Sequence, residues 1–160
     1  KLAKIGGLGR ITQFSEAEDG RYIIVLKGLK RFKVISEEIA STPYRKARIS
    51  YQGFENDADV HNASQTTEVL SGKSGERTTL TIAMKALAKT LNVQIDWKSL
   101  GEIPLPILIN QAAMISPFAS EDKQSLIEAV STDDRRKLLI GLMHLYANKD
   151  MKQDPNKSQQ

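Results

Sequence analysis

Apolar residues recur along this chain with two different periods. In the N-terminal third, three runs rich in β-branched and aromatic residues, Leu8–Phe14, Tyr22–Leu26 and Arg31–Ile35, are separated by Asp19-Gly20 and by Gly28. Short runs of this composition, punctuated by Asp-Gly and Gly, predict an antiparallel meander. Tyr22-Ile23-Ile24-Val25-Leu26 has no polar residue to turn outward, so it predicts a strand covered on both faces, at the centre of a sheet or in the wall of a small barrel. Tyr44–Tyr51 alternates instead, with Ala47, Ile49 and Tyr51 on one face and Lys46, Arg48 and Ser50 on the other, which predicts a half-exposed fourth strand.

From Gln52 to Gly75 the chain turns polar and aperiodic, rich in Asn, Asp, Ser and Thr, and this is where a domain boundary is expected. From Glu76 onward the period becomes helical. Leu80, Ala83 or Met84, Leu87 and Leu91 recur at steps of three and four, and Asn92 offers a stop. A second helix is predicted from Pro104 or Leu105 to Ile115, ended by Ser116-Pro117. A third is expected after Ser120 as N-cap, with Leu126, Ile127 and Val130 as its apolar face. A fourth follows Thr132 as cap, with Asp133 and Asp134 in its first turn, running on Leu138, Leu139, Leu142, Met143, Leu145 and Tyr146. The expected organisation is therefore a β-part over 1–58, a linker over 59–75, a helical bundle over 76–147 and a polar, disordered tail over 148–160.

Composition narrows the function classes. The 160 residues are 40% apolar and 26% charged, an ordinary globular balance. With no cysteine there is no disulfide, thiolate metal site or cysteine nucleophile, and the two histidines, His61 and His144, stand far apart in sequence. No apolar run approaches the roughly 18 to 20 residues of a membrane span, and no signal peptide is recognisable, so a cytoplasmic protein without a membrane partner or cofactor is expected. The net charge of +4 and a pI near 9.3 would attract anions, but the lysines are dispersed, which speaks for solubility over a nucleic-acid surface.

The chemical motifs are near-misses. Gly72-Lys73-Ser74 imitates the end of a phosphate loop, yet Thr67 stands where the first glycine belongs. Gly7-Leu8-Gly9 begins a dinucleotide fingerprint that Thr12 interrupts, within a segment predicted to be strand. No serine sits in a Gly-x-Ser-x-Gly elbow. The sequons at Asn62 and Asn156 match by composition only. Nothing here supports an enzyme.

Gly9-Arg10-Ile11, Asp19-Gly20-Arg21-Tyr22, Gly28, Arg31-Phe32 and Pro43-Tyr44-Arg45, followed by Asp96-Trp97, Asn110–Phe118 and Glu121–Glu128, together resemble the N-terminal substrate-binding domain of the Lon proteases. The resemblance implies an α+β fold, an antiparallel β pseudo-barrel of the PUA-like kind followed by a small helical bundle. It also implies that further strands precede Lys1. It imports recognition without catalysis: binding of unfolded or degron-bearing polypeptides, with a separate ATP-dependent protease as a possible partner. A PUA-like nucleic-acid-binding module is the alternative. Three residues are candidates for partner contact. Tyr51 and Phe54, leaving a strand into a polar loop, either form an apolar lip or pack back onto the sheet. Arg31 either meets partner carboxylates and carbonyls or forms an ion pair within the sheet.

Overall fold

The computed structural model describes residues 2–39, 41–58 and 74–153, and the chain divides into two units, 1–62 and 63–160. The first unit is built on one hairpin, β1 (Ile5–Glu16) and β2 (Tyr22–Glu38). The Asp-Gly punctuation works as predicted: Gly20 takes a φ of 78°, a conformation open to glycine at no steric cost. The Ala17 and Gly20 amides donate to the Arg21 and Ala17 carbonyls at 2.8 and 3.0 Å. Asp19 accepts from the Arg21 amide and guanidinium, which hold its carboxyl below the usual range.

Gly28, by contrast, ends nothing. The second and third predicted runs form one strand of 17 residues. Gly28 lies opposite Gly9, and the register shifts between Leu8 and Gly9, so that Leu29 has no counterpart on β1. A glycine inside a strand marks a bulge as readily as a turn, and here the bulge absorbs it. A second shift leaves Thr12 unmatched, and its hydroxyl donates to the Val25 carbonyl at 3.2 Å.

The expected fourth strand is β3 (Lys46–Ser50), paired antiparallel with Lys33–Glu38 of β2, giving the order β1-β2-β3. The described strands thus form an open three-stranded sheet, not a closed barrel. Because β3 begins its pairing only at Lys33, the first half of β2 has β1 alone beside it among the described residues. Tyr22–Leu26, expected to be covered on both faces, is exposed throughout, between 45% at Val25 and 62% at Ile23. After β3 a turn with Gly53 at φ 88° leads into a short 3-10 turn, Glu55–Ala58.

The second unit contains five described helices: α1 (Ser74–Thr90), α2 (Trp97–Glu102), α3 (Leu105–Ile115), α4 (Ser120–Glu128) and α5 (Thr132–Gln153). Of the expected linker, 59–73 lie outside the described residues. The predicted stripe Leu80, Ala83, Met84 and Leu87 is buried against Leu105, Leu108, Ile109 and Ala112 of α3, Leu126 of α4, and Leu139, Leu142 and Met143 of α5. Each such leucine contributes about 1.5 to 3 kcal/mol. Three positions expected on apolar faces are exposed: Leu91 follows the end of α1, Val130 lies beyond α4, and Leu145 turns outward from α5.

The helix ends follow the predicted chemistry in part. Asn92 stops α1 with φ 54°. Its amide donates to the Lys89 carbonyl and that of Val93 to Ala88, the paired bonds of a Schellman motif. The short α2 has no counterpart among the expected elements. It is capped by Asp96, which accepts from the Lys98 and Ser99 amides and the Ser99 hydroxyl, while Arg77 donates to its terminal carbonyls at Leu100 and Ile103.

In α5 the cap is Ser131 rather than Thr132, with its Oγ accepting from the Asp134 amide at 3.0 Å and donating to the Asp134 carboxylate at 2.6 Å. The helix continues to Gln153, into the segment expected as tail, and 154–160 lie outside the described residues. In α4 the cap position is Ala119, not Ser120, and carries no side-chain cap. The Tyr146 hydroxyl of α5 takes that role, accepting from the Ala119 amide at 2.8 Å and donating to Asp122 at 2.5 Å. The bond to Asp122 also raises the Tyr146 hydroxyl above its ordinary pKa.

Candidate functional site

The three candidate residues converge on the turn after β3. Arg31, on β2, donates through Nε and Nη2 to the two carboxylate oxygens of Asp57, each at 2.7 Å, and its amide donates to the same carboxylate at 3.0 Å. Their side chains are only 11% and 19% exposed. The guanidinium lies 4.3 Å from the centroid of Phe54, which is buried. Arg31 is thus engaged within the sheet unit by a two-pronged ion pair and a cation–π contact. Phe54 packs beneath it, so the lip expected from two rings has one ring open. That ring is Tyr51, exposed beside Lys30, whose Nζ lies 5.3 Å from its centroid and donates to the Glu55 carbonyl. The Gly53 amide donates to Glu55 and, with the charges of Lys30 and Lys33, holds that carboxyl below its usual range.

A larger surface lies on the β1–β2 ribbon. Successive residues of a strand face opposite sides, so Tyr22, Ile24 and Leu26 share one face. Their cross-strand partners are Glu16, Phe14 and Ile11. Phe14 and Tyr22 stack at 5.1 Å, and Ile11, Phe14, Tyr22, Ile24 and Leu26 are all about half exposed or more. The other face carries Ile23, Val25 and Lys27, opposite Ser15, Gln13 and Arg10. A run of exposed apolar side chains of this kind makes the ribbon a candidate contact surface. Reading the residues missed it because an unbroken apolar run is the signal of a covered strand; only the pairing shows that its neighbours are few.

These groups can bind and orient another molecule without covalent chemistry. Among the described residues no cluster of His, Cys, Asp and Glu could hold a metal ion, and no helix is long and apolar enough to cross a membrane. Compared with protein families, residues 1–144 match the model of the ATP-dependent protease La (LON) substrate-binding domain. The chain belongs to that family. The match spans the sheet and the helical unit as far as His144 in α5, so both units are parts of the Lon substrate-binding domain. A search of curated proteins finds no match. Within the Lon proteases this domain is the non-catalytic part, concerned with substrates.

Proposed function

We propose that this Lon substrate-binding domain holds extended polypeptide segments, exposed by unfolding or presented as degrons, in the cytoplasm and for an ATP-dependent protease. The observation that carries this reading is the exposed apolar ribbon, Ile11, Phe14, Tyr22, Ile24 and Leu26, on a domain of a substrate-binding family. In this reading the three strands are one wall of a β pseudo-barrel, and the client lies along the free edge of β2. There its backbone completes the hydrogen bonds of the edge and its side chains cover the apolar face. Tyr51 extends the contact at the far end. Covering the remaining half of five such side chains contributes on the order of 5 kcal/mol, which, with edge hydrogen bonds and the cost of association, corresponds to affinities on the order of micromolar.

The test is binding of a reduced, unfolded model protein, followed by anisotropy at 50 and 200 mM salt. Wild type should bind with little loss at the higher salt, because apolar burial dominates. Ile24→Ser/Leu26→Ser should weaken binding about tenfold or more while leaving the thermal midpoint within a degree or two, since both side chains are already exposed. Unchanged binding by that variant would refute the ribbon as the site. Affinity for RNA alone, falling about a thousandfold over the same salt range, would replace the reading with a nucleic-acid module.

A further inference from the structure

On the face of the ribbon opposite its aromatic pair, Arg10 and Lys27 stand directly across from one another in the β1–β2 ladder. Like charges in that arrangement weaken a strand pair. Every other arginine of the sheet unit meets a carboxylate: Arg21 meets Asp19, Arg31 meets Asp57, Arg45 meets Glu37 and Arg48 meets Glu38. Arg10 and Lys27 are exposed and make no ion pair with a described carboxylate. Among the described residues, two cations without a carboxylate partner therefore sit at one end of an apolar strand edge. Along β2 the next residues on their face are Val25 and Ile23, about 7 and 14 Å away at the strand rise.

We infer that this pair makes the surface selective for client segments in which a single carboxylate precedes an extended apolar run. The inference rests on the polypeptide-binding reading above and names its substrate class. A strand added antiparallel to β2, the commoner pairing, places its residues in reverse order along the edge. A Glu or Asp beside Lys27 then comes first. The second and fourth residues after it lie beside Val25 and Ile23, and the first and third beside Leu26 and Ile24 on the other face. The carboxylate relieves the repulsion between Arg10 and Lys27 while the next four side chains cover apolar surface. A nucleic acid fits less well, because the cations are two and the rest of the edge, Tyr22 to Leu26, carries no charge.

The test uses three fluorescent peptides identical except for Glu, Gln or Lys at the position preceding one apolar pentapeptide. The full chain should bind the Glu peptide about fivefold more tightly than the Gln peptide at low salt, the Lys peptide least, and the preference should shrink at 0.5 M salt. Arg10→Gln/Lys27→Gln should bind the Glu and Gln peptides equally, at the affinity wild type has for Gln. Lys27→Glu, which supplies Arg10 with a partner, should abolish the preference for the Glu peptide. Equal binding of Glu and Gln peptides by wild type overturns the inference and leaves polypeptide binding standing. Failure to bind any of the three, when an unfolded protein is not bound either, overturns both. A single-stranded RNA that displaces the Glu peptide and loses its affinity in the double glutamine variant assigns the cations to nucleic acid and overturns the inference.

Discussion

Phe54 and Tyr51 lie three residues apart, and opposite outcomes are expected when each is removed. The Phe54 ring is 4% exposed, lies under the Arg31 guanidinium, and is held against β2 by the Arg31–Asp57 fork. Truncation of a buried phenylalanine to alanine costs about 3 to 5 kcal/mol, and the lost cation–π contact is itself worth about 1 kcal/mol. Phe54→Ala should therefore destabilise the sheet unit by about 4 kcal/mol, a large share of the roughly 5 to 15 kcal/mol that holds a domain folded. Tyr51 is 38% exposed, with the Lys30 Nζ 5.3 Å from its ring centroid, so Tyr51→Ser should cost about 1 kcal/mol or less.

The readout is amide hydrogen exchange in the β2–β3 ladder, where Val34 pairs with Ile49 and Lys33 with Ser50, with the amides of α1 and α5 as reference. A loss of about 4 kcal/mol corresponds to exchange faster by about a thousandfold. Phe54→Ala should show that acceleration in the sheet, while Tyr51→Ser should leave the ladder protected and weaken binding of unfolded protein a few-fold. A Phe54→Ala variant that keeps its protection but loses the client would refute the reasoning, because the ring would then act as contact and not as core.

Asn92→Ala should lower the thermal midpoint by about 4 to 8 °C, for a cost of about 1 kcal/mol at the left-handed position, and Asn92→Gly should keep or slightly raise it, both read by calorimetry. Asp96 is held below its ordinary value of 3.8 by the Ser99 hydroxyl, then by the Ser99 and Lys98 amides. A carboxylate with a lowered folded pKa contributes fully above its unfolded value and loses that contribution as pH falls through the folded one. Asp96→Asn should therefore reduce the acid sensitivity of the helical unit below about pH 4, and an unchanged acid limb in urea titrations would contradict the cap. The purified chain should turn over neither ATP nor casein, having neither a complete phosphate loop nor an activated nucleophile in its sequence; turnover that survives repurification would refute this.

Local signals with a single physical meaning were legible in the residues. Asp19-Gly20 as a turn, the alternation of Lys46–Ser50, the stripe Leu80–Leu87 and the Pro-bounded helix Leu105–Ile115 all depend on neighbours within a few positions, and the structure has them where the pattern put them. Gly28 was ambiguous, because a glycine serves a bulge and a turn equally well and only the partner strand decides. The exposure of Tyr22–Leu26 was not legible at all: periodicity reports which residues are apolar, not which strands come to lie beside them. The helix α2 was hidden by its length of 6 residues, too short for a period, although Asp96 and Ser99 carried its cap. Among the candidate contacts, the burial of Phe54 depended on Arg31 and Asp57, separated by 26 positions.

The cap of α4 ties its stability to a distant helix. A capping box is normally local, with cap and third residue joined three positions apart. Here the same two groups, the Ala119 amide and the Asp122 carboxylate, are joined through a hydroxyl 24 residues beyond Asp122. A helix of 9 residues is marginal by itself in water, since nucleation is costly and isolated helices shorter than about 12 to 15 residues scarcely form. The segment therefore depends on its tertiary contacts, among them Tyr146 of α5, which supplies the bonds a local cap would make. These two helices of the second unit are thus coupled at this point: where α5 frays at Tyr146, the start of α4 loses its cap with it.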